Sequence, residues 1–75
     1  MTDTELYMTI GKNIKFYRKQ NGLTQREFCE STGISLSYLT KLEATNCVQS
    51  ISLSLLNKIS NSLNVDIIKF FEERY

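Results

Sequence analysis

Histidine and proline are absent from these 75 residues, cysteine occurs twice and glycine three times. Without histidine the chain lacks both the commonest general base and the commonest zinc ligand. Cys29 and Cys47 are too few for a disulfide-stapled miniprotein and match no metal-ligand spacing, so no metal or cofactor is expected. No apolar run is longer than a triplet such as Leu6–Met8, which is far too short to span a bilayer. A secretory leader opens basic and then apolar, whereas Met1-Thr2-Asp3-Thr4-Glu5 is acidic and polar. The expected location is the cytoplasm, with no membrane partner.

A chain of 8.7 kDa is read as one domain over residues 1–75. It buries only about 60% of the surface its unfolded form exposes. Apolar residues at 41% and charged residues at 23% place it among globular proteins. So small a chain has little room for a catalytic pocket, and an enzyme is not expected. The net charge of +1 hides a gradient: residues 1–10 carry −2, residues 11–41 carry +4 and residues 42–75 carry −1. The basic stretch holds Lys12, Lys15, Arg18, Lys19, Arg26 and Lys41 against Glu27 and Glu30, so one face can attract phosphate.

The periodicity is helical throughout. Thr2 and Glu5 have capping-box spacing, and Leu6, Ile10, Ile14 and Tyr17 form an apolar stripe that ends at Asn21-Gly22. A second capping box, Thr24 with Glu27, starts a helix that lasts to about Ser31, with Leu23 and Phe28 spaced as a hydrophobic staple. Thr32-Gly33 is a turn. Ser35 caps a third helix whose Leu39 and Leu42 point inward behind Ile34. After a polar loop over 45–50, Ser52 caps a fourth helix with the stripe Leu53, Leu56, Ile59 and Leu63. Asp66 caps a short fifth helix, at about 66–74, carrying Ile67, Ile68, Phe70 and Phe71. The fold class is therefore all-α, a compact five-helix bundle.

Two short helices joined by a tight glycine turn make a helix-turn-helix unit, here at about 24–44. Gly11-Lys12-Asn13-Ile14 through Arg18, Gly22-Leu23-Thr24-Gln25-Arg26-Glu27-Phe28, Gly33-Ile34-Ser35, Tyr38-Leu39 and Leu42-Glu43 resemble the Cro/CI-type, or Xre, helix-turn-helix family. The run 56–65 followed by Phe70-Phe71 is similar to the family's fourth and fifth helices, so the resemblance covers residues 10–71. Ala44-Thr45 departs from the family's usual polar residue and glycine, Ile51 from a common proline, and Cys29 and Ser60 from frequent alanines. The resemblance implies a lambda-repressor-like fold that binds double-stranded DNA at a palindromic operator and regulates transcription as a homodimer.

Carried over by residue, the resemblance lays the third helix in the major groove with Leu36, Ser37, Thr40 and Lys41 facing base edges. Gln25, Ser35, Tyr38 and Asn46 fall to the phosphates, Gln25 at a helix start where free N–H groups favour an anion. Arg18 and Glu43 correspond to the family's structural ion pair. Independently, a short terminal helix cannot bury Ile67, Ile68, Phe70, Phe71 and Tyr75 within one small domain, and the surplus suggests a two-fold dimer contact. Family members of this size include phage repressors, restriction–modification controllers and antitoxins, all bacterial or phage-encoded. A nucleoid location and an RNA polymerase contact are implied for a repressor or activator. The competing class is a protein-interaction module, such as an antitoxin whose partner is a toxin. An acyl-carrier-like bundle conflicts with the basic middle of the chain.

Overall fold

Four α-helices each begin at a hydroxyl side chain that takes up a backbone N–H of its own first turn. The computed structural model describes residues 1–73. The elements are α1 (Asp3–Gln20), α2 (Gln25–Thr32), α3 (Leu36–Glu43), α4 (Leu53–Leu63) and a 3-10 helix (Ile67–Phe71), with no strand among the described residues. Thr2 and Thr24 complete full capping boxes. Thr2 Oγ1 accepts from Glu5 N–H at 3.2 Å while Glu5 Oε1 accepts from Thr2 N–H at 2.9 Å, and Thr24 with Glu27 repeats the exchange at 3.1 and 2.8 Å. These backbone donors hold both glutamates below the ordinary carboxylate pKa. Such caps contribute about 1 kcal/mol each, a large sum for so short a chain.

The core joins Ile10, Ile14 and Tyr17 of α1 to Phe28, Leu39, Leu42, Leu56, Ile59, Leu63 and Phe70, with Ile34 entering from the turn. Ser60 is buried among them and satisfied by donating to the Asn57 carbonyl at 2.8 Å.

Three expectations are corrected. The fifth element is a 3-10 helix and not an α-helix: five residues do not repay α nucleation, and the carbonyls at its end go to Asn13 instead of a further turn. Leu53 is not part of the core stripe but 71% exposed, and the buried face of α4 is Leu56, Ile59, Ser60 and Leu63. Phe70, expected at a dimer contact, is fully buried with its ring edge-on to Tyr17 at 5.4 Å, so it has no surface to offer a second copy. Ile68 and Phe71 stay exposed and Ile67 is half-buried, while Tyr75 lies outside the described residues.

Candidate nucleic-acid interface

The corner between α2 and α3 is set at its turn. Thr32 closes α2 by donating its Oγ1 proton to the Phe28 carbonyl at 2.7 Å, and Gly33 follows at φ +78°. Glycine occupies that left-handed region without a Cβ penalty. Ile34 returns the chain to the core, and Ser35 Oγ accepts from Tyr38 N–H at 3.1 Å to start α3.

The far end of α3 is held by Glu43. Its buried carboxylate accepts from Arg18 Nε at 2.8 Å, from Arg18 Nη2 at 2.9 Å and from Gln25 Nε2 at 3.0 Å. Arg18 Nη1 donates to the Leu23 carbonyl at 2.6 Å. The Arg18–Glu43 pair thus ties together the end of α1, the loop after it, the first turn of α2 and the last turn of α3. The Arg18 and Glu43 side chains are only 6% and 2% exposed. Desolvation offsets most of the attraction in so buried a pair, and its main consequence is to fix the angle of α3. Gly11 acts at the same crossing, where any Cβ would overlap the Leu42 carbonyl oxygen.

Four side chains of α3 are left facing outward: Leu36, Ser37, Thr40 and Lys41. Leu36 is 39% exposed, and Thr40 Oγ1 donates back to the Leu36 carbonyl at 2.8 Å. Ser35 and Asn46 are exposed on either side of this row in sequence. Tyr38 is half-buried and donates its hydroxyl proton to the Ser50 carbonyl at 2.7 Å, fastening the 44–52 loop to α3. Burial, and to a lesser degree nearby Tyr7, pushes its phenol pKa up. Gln25 sits at the start of α2, with its amide nitrogen turned to Glu43 rather than to solvent. Arg26 and Lys58 are exposed nearby, Lys58 Nζ standing 4.0 Å from where a Gly33 Cβ would be. Lys12, Lys15 and Lys19 line the outer face of α1.

Three contributors lie outside the residues expected at the site or in the roles expected of them: Gly11 at the α1–α3 crossing, Asn13 beneath the 3-10 helix, and the Gln25 bond to Glu43. A glycine inside a helical pattern with no turn beside it signals a close backbone approach. Nothing local marks the other two. Among the described residues no cluster of His, Cys, Asp or Glu could hold a metal ion. No described helix is long and apolar enough to cross a membrane. An open cavity of about 300 Å³ between Glu5, Met8, Lys12 and Glu73 has no lining residue from α2 or α3.

Residues 14–70 match the helix-turn-helix family model. The chain belongs to the Cro/CI (Xre) type of this family. This helix-turn-helix chain is 35% identical over 66 residues to the HTH-type transcriptional regulator SinR of Bacillus subtilis, across 88% of its own length and 59% of SinR. To the antitoxin PezA of Streptococcus pneumoniae it is 41% identical over 64 residues, covering 85% of this chain and 39% of PezA. The solved structure of SinR, the master regulator for biofilm formation, in complex with DNA matches it with a TM-score of 0.75 at 35% identity, covering 84% of this chain and 98% of that one. The chain therefore spans little more than half of SinR and less of PezA.

Proposed function

We propose that this chain binds double-stranded DNA sequence-specifically and regulates transcription as a homodimer on a palindromic operator. The observation that carries this reading is the outward row Leu36, Ser37, Thr40 and Lys41 on a helix whose far end is clamped by buried Arg18 and Glu43. A rigid helix presenting one apolar, two hydroxyl and one cationic side chain suits base edges in a major groove. The likeness to SinR, a transcriptional regulator solved with DNA, supports it.

Ser35 and Asn46 serve the phosphates from exposed positions. Gln25 joins them through its second amide proton and the free N–H groups of the α2 start. Tyr38 has its hydroxyl proton committed to Ser50, so its role is anchoring the 44–52 loop rather than donating to a phosphate. Exposed Ile68 and Phe71, with Ile67, form the contact to a second copy. Regulation follows from occupancy, by blocking polymerase or offering it a surface, with the protein at the nucleoid in the cytoplasm. No catalysis is part of this role.

The test is selection of a random duplex pool on the purified protein at two salt concentrations, followed by sequencing. An enriched inverted repeat with half-sites about 10 bp apart or a multiple of it is the expected result. A single unrepeated half-site removes the dimer. No enrichment, with weak binding lost in salt, favours the protein-interaction reading to which the PezA likeness points.

A further inference from the structure

Leu36 and Thr40 stand one turn apart on the exposed side of α3, and the Thr40 hydroxyl proton is already committed to the Leu36 carbonyl at 2.8 Å. In that state Thr40 shows the groove a methyl group and an oxygen that can only accept. Guanine offers the major groove N7 and O6, both acceptors, so it has nothing to give that oxygen and repels it. Cytosine offers an amine but no methyl. An A·T pair offers both partners at once, the adenine N6 amine for the oxygen and the thymine C5 methyl for the methyl group. Leu36, 39% exposed and wholly apolar, has only one complementary feature in the groove, which is again a thymine methyl.

Residues four apart on a helix have Cβ atoms about 5–6 Å from each other, and successive bases on a strand rise about 3.4 Å. The two side chains therefore meet neighbouring or next-but-one bases. We infer that Leu36 and Thr40 form a thymine-methyl reader, so that the half-site this chain recognises contains two A·T pairs, adjacent or one base apart, read through their C5 methyl groups. The inference rests on the DNA-binding reading above and names the base chemistry of that same site.

The experiment first alters the DNA and leaves the protein intact, and then pairs the same duplexes with two protein variants. The duplex selected by the full purified chain is resynthesised with each thymine replaced in turn by uracil, which removes only the C5 methyl, and binding is measured at constant salt. Loss of one buried methyl is expected to weaken binding about fourfold, at two neighbouring or next-but-one positions. In Leu36→Ala the penalty disappears at one of them and persists at the other; in Thr40→Ser, which keeps the hydroxyl, the pattern reverses. Both positions are exposed, so circular dichroism and melting temperature stay unchanged. A selected duplex that binds equally well in its uracil form overturns the inference and leaves the DNA reading standing. A protein that selects no duplex at all overturns both.

Discussion

Asn13, in the middle of α1, donates through Nδ2 to the carbonyl oxygens of both Phe70 and Glu72, each at 2.8 Å. The side chain is wholly buried, and the bonds cross 57 and 59 positions of sequence. They fix the 3-10 helix on the body of the protein with Phe70 turned inward and Ile68 outward. Replacing Asn13 by alanine removes the amide donor from two backbone acceptors, at about 1–3 kcal/mol. For a domain this small that lowers the melting temperature by roughly 4–8 °C per kcal/mol. Hydrogen exchange should show the loss of protection concentrated at 69–72; uniform loss across all helices would mean that Asn13 does not act as this local tie.

Gly11→Ala runs against intrinsic helix preference. Alanine is favoured over glycine in a helix interior by roughly 0.5–1 kcal/mol, but here its methyl would meet the Leu42 carbonyl oxygen. Overpacking of this kind costs about 1–3 kcal/mol, and the α1–α3 crossing must open. Urea unfolding is expected to show a less stable protein with weaker DNA binding. A variant as stable as the parent would mean that the two helices do not touch there.

Arg18→Ala leaves the Glu43 carboxylate buried with Gln25 as its remaining charge-neutral partner. Breaking a buried pair from one side costs about 3–5 kcal/mol. Melting temperature and DNA affinity should fall together, since the same contact supports the fold and aims α3. The double variant Arg18→Met/Glu43→Leu is expected to regain most of the stability. A fully stable Arg18→Ala protein with normal binding would mean that Arg18 does not clamp α3.

The 3-10 helix separates buried from exposed side chains residue by residue. Phe70→Ala empties a fully buried site and should cost about 3–5 kcal/mol. Ile68, 66% exposed, tolerates aspartate with little change in melting temperature. On the proposed dimer, analytical ultracentrifugation should show two copies for the parent and a monomer for Ile68→Asp, with affinity for a single half-site retained. Unchanged sedimentation would place the two-fold contact elsewhere.

Acid should weaken the protein through its helix starts. Glu5 and Glu27 have pKa values lowered in the fold, first by the N–H groups of Thr2 and Thr24 and then by their hydroxyls. A carboxyl with a lowered folded pKa contributes stability that is fully present above its unfolded value, about 4.5, and is lost as pH drops through the lowered one. Melting temperature should therefore decline below about pH 4.5, and less steeply in Glu5→Gln/Glu27→Gln than in the parent. Equal slopes would leave the acid sensitivity to other groups.

The helix starts were legible because a cap is a local device: a hydroxyl, and in two cases a glutamate three residues later, suffices to place Thr2, Thr24, Ser35 and Ser52. The turn at Gly33 was legible for the same reason. What lay beyond sequence was choice among equals. Ile67, Ile68, Phe70 and Phe71 are all apolar, and only the Asn13 bonds and the Tyr17 ring, distant in sequence, decide which one turns inward. Leu53 fits the stripe of Leu56 and Ile59 by spacing, yet spacing does not report where the neighbouring helices stop. The resemblance gives Gln25 to a phosphate, and its bond to Glu43 arises only when α3 returns alongside α2.

Glu43 anchors α3 at one end only, and none of Leu36, Ser37, Thr40 and Lys41 bonds outside α3 among the described residues. The helix is a blade set along its length: its root is the buried row Leu39, Leu42 and Glu43, and its free working edge is the exposed row. The two sets of side chains answer to different demands, the root to folding and the edge to whatever it touches. Specificity can drift through substitutions along the edge while the melting temperature stays where the root holds it. One scaffold can thereby be retargeted without being refolded.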